Sequence, residues 1–267
     1  MGAEGMSTPL LKVENLSIAF GGLKAVDQLS FEMNEGEIYG IIGPNGAGKT
    51  TAFNCITQFY KPDAGQVLFK TKEDNVVNLV GKKAHHIIEL GLVRTFQNVE
   101  LIVSLSVIEN LLVGAHTAFK TSLFSQILKL PKARREERAL RDRAEAVLAD
   151  LGLLHLKDMP ALMQPYGIQK RIELGRTLML DPKLIILDEP AAGLNDVETA
   201  ALVQTVKDIS TRYKCGILLI EHDMNFVSSI CERICAISFG KMIAIGTPDE
   251  IKAHPAVQEA YLGKDDE

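Results

Sequence analysis

The sequence lacks several features that would assign it to a specialised class of protein. It has no stretch of about 18 consecutive apolar residues, so it predicts no membrane-spanning helix. Its first residues contain no basic segment followed by an apolar one, and no signal peptide is predicted. Basic residues are not in excess, since the net charge is −5, which argues against a surface that coats nucleic acid. Nucleic acid is therefore not an expected partner.

Cysteine is scarce, and its spacing does not indicate a metal site. None of the four cysteines belongs to a C-x2-C pair, and Cys231 and Cys235 have no second pair to complete a ligand set. Buried, reduced thiols are the favoured interpretation. This pattern indicates a cytoplasmic protein.

The residues that are present describe an ordinary globular chain. Hydrophobic residues make up 46% of the 267 positions and charged residues 24%. A chain of this length buries a sizeable core, as one large domain or a domain with an inserted lobe.

One segment carries a strong functional signal. Residues Gly43–Thr50 read Gly-Pro-Asn-Gly-Ala-Gly-Lys-Thr, after the apolar run Ile38–Ile42 and before the helix-compatible run Thr51–Ile56. A glycine-rich loop between a buried strand and a helix N-terminus lets backbone N–H groups converge on a polyphosphate. Lys49 can then reach the β- and γ-phosphates, and Thr50 can ligate Mg²⁺.

The pattern of apolar residues predicts an α/β fold. Residues 10–33 alternate like half-buried antiparallel strands, and residues 104–156 are rich in helix-forming runs. After Gly167, continuous apolar strands alternate with helices, which indicates a parallel sheet covered on both faces. Residues 234–239 and 242–245 flank Gly240-Lys241 like a hairpin, and Thr247 to Glu250 read as a capping box.

Two later strands end in side chains that can bind a metal ion or catalyse hydrolysis. The strand Leu184–Leu187 ends in Asp188 and Glu189, so both carboxylates are expected beside the phosphate loop. Asp188 is expected to hold Mg²⁺. Glu189 is expected to act as the base or to orient water for attack on the γ-phosphate. The next strand ends before His222, whose imidazole can donate a hydrogen bond to a γ-phosphate oxygen.

A GTPase or nucleotide kinase is an alternative, because both use the same phosphate loop. Thr71-Lys72-Glu73-Asp74 matches a guanine-reading motif superficially. It precedes the Asp188 strand, whereas a GTPase places it afterwards.

Taken in order, these motifs resemble the nucleotide-binding subunits of ABC transporters from Leu10 to Gly263. The resemblance assigns nucleotide binding to Phe20, Val26, Gly43, Pro44, Asn45, Gly46, Ala47, Gly48, Lys49, Thr50, Thr51, Tyr166 and Gly167. It assigns catalytic roles to Glu189, His222 and Gln97. It assigns metal binding to Thr50, Gln97 and Asp188. Phe20 takes the position that stacks on adenine in this family, and the implied cofactors are ATP and Mg²⁺.

The resemblance also implies a second cassette, identical or different, because the family sandwiches two ATP molecules between two subunits. The family's Leu-Ser-Gly-Gly-Gln signature aligns on Gln164–Ile168, where one glycine is retained and Pro165 supplies neither a hydroxyl nor an N–H. The dipole of the helix and the N–H groups of Gly167 and its neighbours remain for the partner's γ-phosphate. Asn195 replaces the usual Asp of the loop that joins two cassettes.

Four segments resemble the branched-chain amino-acid uptake ATPases within the family: Phe20–Val26, Arg94–Gln97, Ala191–Asn195 and Ala260–Gly263. This implies transmembrane permease subunits, an indirect link to a substrate-binding protein, and a cytoplasmic protein peripheral on the inner face of the cell membrane. Urea uptake, lipopolysaccharide export and a non-transport role stay as alternatives.

The expected fold is therefore a phosphate-loop (RecA-like) parallel core with an antiparallel β subdomain. An α-helical subdomain is expected as an insertion at about 98–165. Residues 8–267 are expected to form a single cassette, with 1–7 as a disordered or tag-like N-terminus.

Overall fold

The computed structural model describes residues 8–95, 100–115 and 131–262. The chain divides into two compact units. The first comprises Met1–Arg94, Lys183–Ala192 and Val206–Glu267, and the second comprises Thr95–Pro182 and Gly193–Thr205. The sequence-based expectations for residues 1–7 and for Gln97 lie outside the described residues. Within those residues, no helix combines the length and apolar character needed to cross a membrane.

All ten strands of the described part belong to the first unit. They are β1 (Leu11–Phe20), β2 (Leu23–Met33), β3 (Ile38–Ile42), β4 (Ala64–Lys70), β5 (Val76–Asn78), β6 (Leu92–Arg94), β7 (Leu184–Asp188), β8 (Gly216–Glu221), β9 (Arg233–Ser238) and β10 (Lys241–Gly246). The helices lying wholly in this unit are α1 (Lys49–Ile56), α2 (Ala84–Leu90), α7 (Met224–Ile230), α8 (Pro248–Ala253) and α9 (Pro255–Leu262).

The strands form two sheets, as the sequence predicts. The six-stranded sheet has the order β10-β9-β3-β8-β7-β6, and its neighbours pair in parallel apart from β10 and β9. Every residue of β3, β7 and β8 is buried, in agreement with their continuous apolar sequences. The four-stranded sheet is antiparallel with the order β2-β1-β4-β5. The predicted α/β architecture is confirmed.

The hairpin near the end of the chain differs by one residue from its prediction. Its turn is formed by Phe239 and Gly240, with φ values of 46° and 76°, and Lys241 already belongs to β10. Two consecutive positive φ angles match the twist of a tight hairpin. Thr247 and Glu250 form the predicted capping box at the start of α8.

The second unit is helical in the part that the structure describes. Its helices are α3 (Val107–Gly114), α4 (Pro131–Asp150), α5 (Tyr166–Leu178) and the beginning of α6 (Asp196–Tyr213). A capping box of Ser106 and Glu109 starts α3, which packs against α4 and α5. The proposed bounds of the inserted subdomain, 98–165, stay a prediction.

All four cysteines are buried, and none forms a disulfide. Burial raises the pKa of Cys55 to about 11, and those of Cys215 and Cys235 to about 12. The pKa of Cys231 is also raised by burial. The thiols act as small apolar side chains of the core.

Candidate functional site

The glycine-rich loop connects β3 to α1 and leaves no room for side chains at two of its glycines. A Cβ atom on Gly43 would lie 2.2 Å from the carbonyl oxygen of Ile237, and one on Gly48 would lie 2.3 Å from that of Ala25. Gly48 also has a φ of 99°, in the left-handed region that favours glycine. These glycines therefore allow the close backbone packing that shapes the loop.

Lys49 brings a positive charge into this loop. Its Nζ donates hydrogen bonds to the carbonyl oxygens of Gly43 at 2.6 Å and Pro44 at 3.1 Å, and the residue is only 6% exposed. The loop is braced by hydrogen bonds from Ala47 N–H to Pro44 and from Gly240 N–H to Ala47. The buried ammonium group, held by the loop carbonyls, supplies a positive charge that can bind the negative oxygens of a polyphosphate.

The loop borders a cavity of about 360 Å³. Its lining residues come from the phosphate loop and the start of α1, from the first residues of β2, from the residue after β7 and from the β9–β10 turn: Leu23, Lys24, Ala25, Asn45, Gly46, Ala47, Gly48, Lys49, Thr50, Thr51, Glu189, Phe239 and Gly240. The backbone concavity, the ammonium and the threonine hydroxyl fit a polyphosphate with a bound divalent cation. The residues present therefore suit both ATP and Mg²⁺.

Asp188 ends β7 at the same edge of the sheet as the phosphate loop. It is 4% exposed, and its Oδ2 lies 3.0 Å from Nη2 of Arg94. Burial raises the pKa of Asp188, while the charge of Arg94 and its hydrogen bond act in the opposite direction. No group of three or more His, Cys, Asp or Glu residues with metal-site geometry occurs in the described part of the chain. Asp188 together with Thr50 suits Mg²⁺, which typically takes few protein ligands beside phosphate oxygens.

Glu189 and His222 meet at this edge, as expected from the strand ends. Glu189 has a φ of 44°, and its N–H donates to the carbonyl oxygen of Ile220 at 2.9 Å. His222 Nδ1 lies 3.9 Å from Glu189 Oε1. The sequence therefore correctly indicates that β7 and β8 bring a carboxylate and an imidazole together.

Glu221 holds the loops around these two groups in place, a role that the sequence motifs do not predict. It is 1% exposed, and its carboxylate accepts hydrogen bonds from the N–H groups of Ala191 at 2.9 Å and His222 at 3.2 Å. Burial raises its pKa. A Glu at the buried end of an apolar strand is the signal that indicates such a role.

Phe20, which the resemblance places at adenine, and Val26, which it assigns to nucleotide binding, have different environments. Phe20 is 47% exposed, and its ring packs edge-on against Tyr60 with centroids 5.5 Å apart. Val26 is 1% exposed and belongs to the hydrophobic core. The structure does not place Val26 on the cavity, whose wall on this side is formed by Leu23, Lys24 and Ala25.

The divergent signature lies in the second unit, where Pro165 is the N-cap of α5 and makes no side-chain cap hydrogen bond. The N–H of Gly167 donates to Glu198 Oε1 at 3.3 Å. Glu198 also accepts a hydrogen bond from Asn195 N–H, and its own N–H donates to the Asn195 side chain. A carboxylate of this unit therefore already lies at the helix end to which the resemblance assigns a phosphate.

Comparison with known proteins identifies the family. The family profile described as ABC transporter matches residues 26–192. The chain belongs to the ABC transporter family. A second profile, described as branched-chain amino acid ATP-binding cassette transporter, matches residues 241–267 of the cassette.

Relatives of the cassette match it along nearly its whole length. The high-affinity branched-chain amino acid transport ATP-binding protein LivG of Salmonella typhimurium is 46% identical over 259 residues, which are 97% of this chain and 100% of LivG. BraF of Pseudomonas aeruginosa, with the same description, is 40% identical over 97% of this chain and 100% of its own. The cassette is therefore the ATP-hydrolysing subunit of an ABC transporter.

Solved structures confirm the fold. The ADP conformation of MJ1267, an ATP-binding cassette of an ABC transporter, superimposes with a TM-score of 0.81 at 32% identity, covering 97% of this chain and 100% of that one. CbiO1 of Clostridium perfringens, part of a cbiONQ transporter complex, gives a TM-score of 0.78 at 26% identity over 97% and 96% of the two chains.

Proposed function

We propose that this cassette binds Mg·ATP in the phosphate-loop cavity and uses its hydrolysis to power the import of branched-chain amino acids through membrane subunits. The observation that carries the proposal is the convergence of Lys49, Asp188 and Glu189 at one edge of the parallel sheet. The carboxyl ends of β3 and β7 both lie there, because β3 and β7 flank β8 in parallel register. Ligands bind at this edge in open α/β sheets.

Each residue at this edge has a distinct proposed role. Lys49 neutralises phosphate charge, and the backbone N–H groups of the loop bind phosphate oxygens. Thr50 and Asp188 would hold Mg²⁺, which when bound neutralises the charge that develops on the phosphates. Glu189 orients water and accepts its proton, and His222 donates a hydrogen bond to a γ-phosphate oxygen. Gln97, which lies outside the described residues, is proposed as a further metal contact.

We also propose that the cassette pairs with a second one, identical or different, during turnover. Tyr166 and Gly167 would contribute to the partner's nucleotide site from the N-terminus of α5. The hydrogen bond between Gly167 and Glu198 supports this assignment of an anion-binding helix end. A phosphate arriving there would compete with the Glu198 carboxylate.

The proposed cargo follows from the relatives. LivG and BraF are branched-chain amino acid transport proteins by description, and the profile that matches residues 241–267 has the same cargo in its description. Cargo specificity depends on pockets in other subunits, since this chain contacts nucleotide rather than cargo. We therefore propose permease partners, a binding protein for leucine-like amino acids, and a position on the inner face of the cell membrane.

Two measurements test these proposals separately. Phosphate release by the purified chain should require ATP and Mg²⁺ and should stop when EDTA is added. In liposomes that contain the co-purified membrane subunits, ATP should drive uptake of radiolabelled leucine. Membrane subunits that move urea or export lipopolysaccharide instead would refute the cargo and leave the ATPase role intact.

Replacing Pro165 tests the divergent signature. Pro165→Ser places a hydroxyl at the N-cap of α5, where Ser stabilises a helix by about 0.5–2 kcal/mol relative to Ala, and it adds a donor for a phosphate. We expect ATP-dependent dimerisation as tight as that of the wild type or tighter, measured by size exclusion with light scattering in a hydrolysis-deficient background. Pro165→Ala is the control, because it removes the proline without adding the hydroxyl. A weaker dimer for Pro165→Ser than for Pro165→Ala would contradict the role of the hydroxyl.

A further inference from the structure

Arg94 links two parts of the nucleotide site that are far apart in sequence. It is the last residue of β6, and β6 pairs in parallel with β7. Its Nη2 donates to Asp188 Oδ2 at 3.0 Å, and its Nη1 donates to Asn54 Oδ1 at 2.7 Å. Asn54 belongs to α1, the helix that begins at Lys49. One guanidinium therefore connects the carboxylate at the end of β7 to the helix of the phosphate loop.

An aromatic ring restrains the orientation of the guanidinium. The Arg94 Cζ atom lies 4.1 Å from the centroid of the Phe53 ring and 5.1 Å from that of Phe59. The side chain is only 16% exposed. Contact with an aromatic ring and hydrogen bonds from two of its nitrogens fix both the position and the plane of the fork.

Stability alone does not account for this pair. Burial of two charges costs free energy that their attraction often only offsets, and apolar residues of similar volume are frequently as stabilising. The fork has a geometric effect that apolar residues lack, because a guanidinium anchored to Asn54 presents Nη2 at a fixed point and so restrains the carboxylate oxygen that accepts from it. The acceptor here is the carboxylate assigned above to metal binding.

We propose that Arg94 is a positioning residue for the metal site: it holds the Asp188 carboxylate by Oδ2 in a fixed orientation relative to α1. This inference rests on the proposed role of Asp188 as a metal ligand. The oxygen not used by Arg94, Oδ1, then has a defined direction before the cation arrives. Partners that orient metal ligands typically contribute a factor of about 10–100 to metal affinity.

The test measures binding of Mn²⁺ to the full chain saturated with the imido analogue of ATP, from the loss of the free Mn²⁺ signal in electron paramagnetic resonance. Arg94→Lys keeps the positive charge and loses the fork, whereas Arg94→Met loses both and keeps a long side chain. We expect both variants to weaken Mn²⁺ binding about 10- to 100-fold. Binding of ATP in EDTA should stay within about twofold of the wild type.

Arg233 offers a matched control in the same unit. Its guanidinium pairs with the buried Glu37 at 2.5 Å and 3.0 Å and lies 5.3 Å from the Tyr39 ring. Arg233 begins β9, whereas the site lies where the strands end. Arg233→Met removes a comparable pair, so it should lower the melting temperature and leave Mn²⁺ affinity unchanged. If Arg94 only stabilised the fold, its variants would also lower the melting temperature and leave Mn²⁺ affinity unchanged.

The Asp188 variant tests the metal ligand, and the Arg94 variants test the positioning role. If Asp188→Asn leaves Mn²⁺ affinity unchanged, the proposed metal ligand is wrong and Arg94 has no metal site to position. If Asp188→Asn weakens Mn²⁺ binding but the Arg94 variants do not, or if Arg94→Met binds Mn²⁺ more tightly, the positioning role is refuted while the proposed function stands. Should the Arg94 variants fail to fold, Asn54→Ala replaces them, because it removes one anchor of the fork; unchanged Mn²⁺ affinity in that variant overturns the inference.

Discussion

Glu189→Gln is expected to lower steady-state ATP hydrolysis by roughly 10²–10⁴-fold while ATP remains bound. The amide has nearly the shape of the carboxylate but cannot accept the proton of the attacking water. Glu189 begins the loop after β7, and its N–H is held by Ile220, so the backbone position should be preserved. Phosphate release and retention of labelled ATP on the protein measure the two effects separately.

The control for this prediction is Glu89→Gln, which makes the same chemical change at an exposed position of α2. Its hydrolysis rate should match that of the wild type. Unchanged turnover in Glu189→Gln would show that another group accepts the proton. A parallel loss of ATP binding and turnover would indicate instead that the carboxylate supports the nucleotide site.

Lys49→Ala is expected to weaken ATP binding by about 1.5–3 kcal/mol, which corresponds to roughly 10- to 150-fold in the dissociation constant. The change removes a charge-assisted contact to the β- and γ-phosphates. Because the contact is to phosphate, inorganic tripolyphosphate should lose a similar factor. Isothermal titration calorimetry with both ligands measures this.

Lys207→Ala is a suitable control, since Lys207 is exposed on α6 and lies outside the phosphate-loop cavity. It should bind both ligands as the wild type does. The opposite result would be that Lys49→Ala binds tripolyphosphate as tightly as the wild type and binds only ATP more weakly. That result would contradict a phosphate contact and would indicate that Lys49 contacts another part of the nucleotide.

Local motifs made much of the site predictable. The phosphate loop, the Asp188-Glu189 pair and His222 each follow an apolar strand, and the ends of parallel strands meet at one edge of a sheet. These signals require only spacing and burial within a few residues. They were sufficient to predict the parallel core and the meeting of Glu189 with His222.

Contacts between distant residues were not predictable in the same way. The hydrogen bond of Arg94 to Asp188 joins residues 94 positions apart, and that of Gly167 to Glu198 joins residues 31 apart. Neither pair has a fixed spacing that a sequence pattern can display. Their identification requires the packing of strands and helices, which depends on the whole chain.

The burial of Val26 depends on irregularities of the sheet that a sequence pattern does not display. Val26 lies opposite Ile18, where β1 is interrupted by register shifts on both sides. Each irregularity changes which face of the sheet the next side chain occupies. The place of Val26 in the core therefore does not follow from counting alternate residues along β2.

The buried cysteines have a practical consequence for spectroscopy. Burial raises the pKa of all four thiols, so only a very small fraction of them is thiolate near neutral pH. Maleimide dyes and thiol-reactive nitroxide spin labels react with the thiolate form of cysteine, so we expect them to label the native chain very little. A single cysteine introduced at Val197, which is 80% exposed, would become the attachment point for a distance probe without removal of the four native thiols.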